Sequence, residues 1–430
     1  MKIHLNLLRN LIRLRLMTFE YCVDDKSLFY KKGASTLLIL SIFTFNTPLL
    51  AATNTLPLIQ KTDLVYQGAF RVPNSGASDT TTFNYGGTAL GFNPINNSLF
   101  LTGHDWFQRT AELKIPALIN SANINNLNTA TLLQTFGDES EGKLNSIDPT
   151  PVNGVKVGGH LVYNNKLIFS GYSFYDGDGN QSTSHFNRPL SFSVTGQVVG
   201  PYKVGPDARY TGGYMTLIPP EWQASFGGPA LTGMCCLSIT SVQSNGPSIS
   251  VFDPNATAQP ATRLLGYPLS NPLRGEPRTN TVYNLTSKIS GVAFPNGTRS
   301  MLFFGRHGTG TYCYGTGIAC GDPADESTGT HAYPYKYQVW AYDANDLLAV
   351  KSGTKQQYEP QPYTVWNFNL PFENNNSAHF LGGAAYDPQA NLIYLSQMSS
   401  DSAGPVIHVF KVQGGTAPVT LPPPNNLRVQ

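Results

Sequence analysis

Charge is scarce in this sequence: Lys, Arg, Asp and Glu make up 13% of its 430 residues. That scarcity excludes helical bundles, whose water-facing sides need those residues. No Lys/Arg run stands beyond the first 52 residues, so the electrostatic footprint of a nucleic-acid binder is missing. Cysteine is sparse as well, at five, and no Cys-x-x-Cys spacing occurs, which leaves zinc without a motif. Carboxylate pairs, the usual equipment of a glycosidase, do not stand out either.

What is plentiful is Gly (41), Pro (31), Tyr (22) and Phe (23). That mixture predicts a β-rich protein with many tight turns.

The first 52 residues read as a leader. Lys31 and Lys32 precede the apolar run "TLLILSIFTF", and "NTPLLAA" supplies small residues for cleavage near Ala52. The run is too short for a membrane span, so the expected location is secreted or periplasmic, with no membrane span once the leader is cut. Without the leader, 21 basic and 23 acidic side chains remain. The basic excess of the full chain belongs to its start.

Four cysteines follow the leader, an even count suited to disulfides in an exported protein. Cys313 and Cys320 flank a short Gly-rich loop and are spaced to close it. Adjacent Cys235 and Cys236 are expected not to bond each other, because neighbouring side chains diverge on a strand. A cross-link from that pair to the Cys313/Cys320 loop, or free buried thiols, are the alternatives.

One pattern returns five times. "GGTALGFNPINNSLFLTG" starts at Gly86, "GGHLVYNNKLIFSG" at Gly158 and "GGYMTLIPPEWQASFGGPALTG" at Gly212. "SGVAFPNGTRSMLFFG" starts at Ser290 and "GGAAYDPQANLIYLS" at Gly382. Each is a glycine-led strand, a turn and a second apolar strand, which is hairpin chemistry. A third run follows each hairpin: "RTAELKIP", "RPLSFSV", "PSISVFDP", "YQVWAYDAND" and "PVIHVFKV". Four repeats have a fourth run; the fifth lacks one, and "LVYQGAFRVP" from Leu64 is available to complete it. The prediction is an all-β fold, a five-bladed β-propeller over 53–413 closed by an N-terminal strand. A β-sandwich is the competing architecture. Residues 414–430 form a Gly/Pro-rich linker, and "PPPNNLRV" within it resembles the opening of a fibronectin type III module.

Blade topology sorts the loops onto two ends. The turns "NPINN", "YNN", "PNGT" and "DPQAN" share one end and read as structural. The other end gathers His104, Asp105, Tyr172, Arg306, His307 and, near the double glycines, Tyr85, His160, Arg209, Tyr210, Lys288 and His379. The inserts bearing His185, Arg188, His331, Tyr333 and Tyr335 are expected to emerge there too. Long loops dressed in His, Tyr and Arg are the expected look of a binding face.

His, Tyr and Arg together suit β-elimination of a uronate polysaccharide: Arg neutralises the sugar carboxylate, one Tyr or His removes the neighbouring proton, and another protonates the leaving oxygen. The constellation of His160, Tyr172 and Arg188 resembles that of propeller polysaccharide lyases such as ulvan lyases, which are typically seven-bladed. The resemblance implies catalytic roles for His160, Tyr172 and Arg188, and His185, on the same insert as Arg188, completes the expected catalytic group. Tyr85, His104, Arg209, Tyr210, Arg306, His307, His331 and His379 are then the expected substrate contacts. The rivals are a non-catalytic glycan-binding or adhesion module, with tyrosines stacking on sugar rings, and a structural envelope protein. No cofactor is required. "DGDGN" offers Asp176, Asp178 and Asn180 as candidate ligands of a structural calcium, although Gln181 replaces the usual Gly at the sixth position and no Glu closes the loop.

Overall fold

Glycine backbone meets glycine backbone around the molecular axis. A Cβ placed on Gly158 would lie 2.0 Å from the Gly212 carbonyl oxygen, and one on Gly382 would lie 1.6 Å from that of Gly87. No real side chain fits at such distances, so the recurrent glycines are where neighbouring sheets touch.

The structure, a computed structural model, describes residues 55–73, 79–205, 207–237, 242–373 and 378–414. The predicted leader (1–52) and the fibronectin-like stretch of the tail lie outside the described residues. The chain falls into two units, Met1–Leu49 and Leu50–Gln430; the architecture here belongs to the second.

Five antiparallel sheets of four strands form the blades of a β-propeller. Blade one runs through Leu90–Asn93, Ser98–Thr102, Thr110–Lys114 and Thr131–Gly137. Blade two takes Val152–Tyr163, Lys166–Tyr175, His185–Pro189 and Val199–Tyr202, and blade three Met215–Leu217, Ala230–Thr232, Ile249–Phe252 and Thr262–Leu265. Blade four comprises Lys288–Ala293, Ser300–Gly308, Tyr335–Asp343 and Thr364–Phe368. Blade five has Leu381–Asp387, Leu392–Asp401 and Gly404–Val412, and its outer strand is Leu64–Arg71 from the start of the unit. Leu64 pairs with Val412 and Arg71 with Val406, so the ring closes by strand exchange as the sequence predicts.

The core lies between blades. Blades three and four enclose Tyr214, Leu231, Phe303 and Trp340; blades four and five enclose Phe304, Val339, Ile393 and Leu395. Blade five meets blade one through Tyr394, Ile407, Leu99 and Leu101. The remaining seams are narrower, with Phe100 against Val162 and Leu167, and Ile168 and Tyr202 against Met215 and Phe252. Each such aromatic or aliphatic side chain contributes about 1.5–3 kcal/mol through burial.

On the structural end, Glu112 is 1% exposed and accepts hydrogen bonds from Asn93, Asn96, Ser98 and Gln134. Burial alone would raise its pKa, but the four donors outweigh that and hold it below the ordinary carboxylate value.

Two expectations need correction. The third strand of blade two is His185–Pro189, three residues ahead of the predicted start at Arg188. Cys235 and Cys236 do bond each other, while Cys313 bonds Cys320. The adjacent pair follows the end of its strand at Thr232, and Cys236 has a left-handed backbone (φ 70°). The chain is not extended there, so the two side chains need not diverge.

Candidate functional site

The end that carries the inter-blade inserts is built around blade one's segment 103–109. Its backbone is pinned: His104 N donates to the Thr82 carbonyl and Asp105 N to the Tyr85 carbonyl. Tyr85 itself is held against blade five, its N–H donating to the Ala403 carbonyl. The rings of Tyr85, Trp106 and Phe107 surround His104 with centroids 5.6, 6.2 and 5.2 Å away. His104 Nδ1 accepts from Trp106 N at 3.2 Å, which leaves Nε2 as the protonated nitrogen of a neutral ring. Trp106 is 82% exposed and Tyr85 60%. Large aromatic surfaces held this far into water by a fixed backbone are unusual and mark recognition.

Beside them Lys156 Nζ lies 2.5 Å from Asp105 Oδ2 and 2.8 Å from the Asp105 carbonyl. Lys156 is the register partner of Tyr172. Burial, and then the Asp105 charge, push the Tyr172 hydroxyl well above its ordinary pKa, so it keeps its proton at neutral pH and acts as a donor. Gln108, which the sequence reading passed over, clamps the two blades. Its Oε1 accepts from Val157 N at 2.7 Å, and its amide donates to the Asp105 carbonyl. Only its backbone shows an anomaly, a φ of 49°, which composition does not reveal.

A second group sits between blades four and five. Arg306 is 1% exposed, its guanidinium 3.7 Å from the Phe380 ring centre and 4.2 Å from that of Tyr335. It donates to the Ala378 carbonyl and pairs with Asp325 at 3.5 Å. His331 is buried on Asp322 (2.8 Å) and reaches the Gly315 and Ser327 carbonyls, which fixes the Cys313–Thr316/Thr328–His331 hairpin. His307 is buried beside Ser287 Oγ, and burial lowers its pKa to about 4. His379 is half-buried, 3.0 Å from Glu373 and 4.5 Å from the Tyr337 ring. Of the predicted contacts in this group only His379 retains partial access; Arg306, His307 and His331 are interior.

Blade two departs most from expectation. His185 is fully buried between Ser184 Oγ and Thr232 Oγ1, and burial lowers its pKa to about 3. Arg188 is 1% exposed and donates to the carbonyls of Glu139, Asp138, Pro189, Ser191 and Val194. Both lie on the third strand, not in the preceding insert, and alternate into opposite inter-sheet seams. His160 is 2% exposed, packed against Gly91 and bound to Glu139. The structure therefore brings Tyr172 to the face without His160, His185 or Arg188. Across the next seam, Arg209 pairs with Asp207 at 2.9 Å, and buried Tyr210 donates to the Gln243 carbonyl beneath the Arg263 guanidinium.

At "DGDGN" the Asp176 carboxylate accepts from the Asn180 and Gln181 amides, and Gln181 turns inward to bond Ser173, Gly171 and Thr183. The loop satisfies itself as a turn. Among the described residues no group of three or more His, Cys, Asp and Glu converges as a metal site. No helix among them is long and apolar enough to cross a membrane.

No protein-family model and no curated protein match the sequence. Solved structures align at low similarity. A glycosyl hydrolase from Bacteroides ovatus shares 9% identity over 84% of this chain and 94% of its own, with a TM-score of 0.40. A structure from the GH130 family of mannoside phosphorylases, described as targeting β-1,2 mannosidic linkages in Candida mannan, shares 10% over 84% and 94%, at 0.41. A mitotic checkpoint complex chain shares 9% over 91% and 100%, at 0.33. Neighbours of such different roles, at such low scores, assign no activity to this chain.

Proposed function

We propose that this chain is an exported protein that recognises a polysaccharide on the face built around His104. Trp106 and Tyr85 serve as stacking platforms for sugar rings, and Lys156, Asp105 and Tyr172 supply the adjacent polar contacts. The observation that carries this reading is the 82% exposure of Trp106 on a segment whose backbone is tied down on both sides. Two local disulfides suit the oxidising compartment that the leader implies.

The test is affinity electrophoresis against neutral and uronate polysaccharides. Retardation by at least one glycan is expected, with affinity reduced about tenfold in Trp106→Ala, the scale of losing one central aromatic anchor. Free migration in every glycan, or an unchanged Trp106→Ala, would overturn the reading.

Cleavage by β-elimination is a second reading, favoured by one observation: Tyr172 retains a proton that it can give to a leaving oxygen. Lys156 would face the uronate carboxylate, and His104 Nδ1, on releasing the Trp106 amide, would take the proton next to it as the C–O bond breaks and the C=C bond forms. Ultraviolet absorbance of the unsaturated product decides it, and silence across a uronate panel removes it.

A further inference from the structure

Blades radiate from an axis, so the space between two of them widens toward the rim, and a close-packed interior must fill it. Between blades three and four the filling is helical: Pro220–Phe226 and Ala344–Lys351 send Trp222, Phe226 and Leu347 into the shared core. No helix contributes to the core between blades four and five. A cavity of about 310 Å³ stands in that seam.

One wall is a row across blade four, with Phe304 in register with Val339 and Val339 with Trp366. The facing wall is Leu395 and Phe410 of blade five, with Leu64 of the closing strand at its rim. Val339, in the middle of its row, is the smallest side chain of the two walls. At about 30 Å³ per carbon, close to a water's share of liquid volume, the space takes an apolar body of roughly ten carbons. That places it at the small end of ligand pockets.

The polar groups of the lining are few. Lys61 and Asn369 are both exposed and so mark the opening. Among the described residues no carboxylate lies within 4.0 Å of the Lys61 ammonium, whereas Lys156 and Lys355 each have one at 2.5 Å. Asp63, two residues on, is turned to the Gln60 amide at 2.7 Å. Trp222 and Trp340 spend their indole N–H groups on carbonyls at 2.8 and 2.6 Å. Trp366 has no such acceptor among the described residues.

We infer that this cavity binds an amphipathic monocarboxylate, its apolar body between the blades and its carboxylate at Lys61. The walls offer aromatic and aliphatic surface with no charge, which suits a hydrocarbon body, and the opening offers a cation that lacks an anion. A dication or a free sugar finds neither partner here. Because Lys61 and Leu64 belong to the segment that closes the ring, a bound molecule touches both the closing strand and blade four, and it stabilises the folded chain by mass action. The cavity lies in a seam remote in sequence and blade from His104, so this inference stands or fails independently of the polysaccharide reading.

The test is calorimetric titration of the full chain with decanoate and with 2-naphthoate, a chain and a ring body carrying the same head group, and with decanol as the headless control. One molecule of at least one carboxylate is expected to bind per chain, with a Kd below about 1 mM, and to raise the melting midpoint. Decanol should bind about tenfold more weakly, and Lys61→Glu should weaken the carboxylate about tenfold while leaving decanol unchanged. Lys166→Glu, the same charge change at an exposed site on blade two, should alter nothing. Val339→Phe puts a ring into the space and should abolish binding of all three; Lys61→Glu keeps the test decisive where that variant does not fold. Binding of neither carboxylate, uptake of many molecules per chain, equal affinity in Lys61→Glu, or undiminished binding to folded Val339→Phe overturns the proposal.

Discussion

Glu139 holds His160 across the seam between the first two blades. Its two oxygens lie 3.1 and 2.9 Å from His160 Nε2, and both side chains are shut away from water. Glu139 comes from the segment joining blade one to blade two, whose backbone also receives the Arg188 guanidinium. The pair is a structural tie, so His160→Ala should strand a buried carboxylate and cost about 3–5 kcal/mol. Denaturant melts measure that loss. Polysaccharide affinity per folded molecule should stay at the level of the unsubstituted chain; a collapse of affinity with stability intact would return His160 to the ligand.

The ring depends equally on glycines at its axis. Gly158→Ala drives a methyl group to 2.0 Å from the Gly212 carbonyl oxygen, backbone that neither blade can move without opening the seam. The expected cost is about 4 kcal/mol or more, in the range reserved for overpacked or strained sites. Gly329→Ala is the matched control, since nothing lies within 4 Å of its added carbon, and its melting midpoint should barely move.

These glycines also explain why the architecture was legible. Close approach at several seams, Gly158 on Gly212 and Gly382 on Gly87 among them, favours glycine at the start of the innermost strand, so the repeat and its closure could be read from the recurring glycine-led hairpin. The site was harder. "SHFNRPLSFSV" alternates apolar and polar residues in a way that permits a third strand to start at His185 or at Arg188. Starting at His185 turns both polar residues inward. No sequence signal announces that five carbonyls wait for the Arg188 guanidinium, or that Ser184 and Thr232 bracket the imidazole. Side chains at strand ends alternate between face and seam, and composition does not say which.

Buried histidines make the fold acid-labile. Burial lowers the pKa of His185 to about 3, of His408 to about 3 and of His307 to about 4, from 6.5. Below pH 6.5 the unfolded chain takes up protons that the folded chain refuses, so stability falls as pH falls through that window. Each such group removes about 1.4 kcal/mol per pH unit. Three acting together should bring unfolding on well above the carboxylate range. His408, which donates to Gln397 Oε1 and accepts from the Tyr66 hydroxyl, is the one to remove. In His408→Gln the slope of stability against pH between 6.5 and 4 should flatten by one group's share. A slope identical to that of the unsubstituted chain contradicts the assignment.

Trp106 provides its own reporter. The chain has four tryptophans; Trp222 and Trp340 are fully buried and Trp366 is 9% exposed. Acrylamide reaches emission only where the indole meets solvent, so quenching of the native protein should resolve into a small accessible fraction and a large inaccessible one. Trp106→Ala should delete the accessible fraction and leave the rest, because the indole hangs off a segment fixed by its backbone and by Tyr85 and His104 around it. A sugar ring stacked on the indole excludes the quencher as well. Any polysaccharide that retards the protein on a gel should therefore protect the accessible fraction, and protection should vanish in Trp106→Ala. Retardation without protection would place the glycan elsewhere on the propeller, away from the face built around His104.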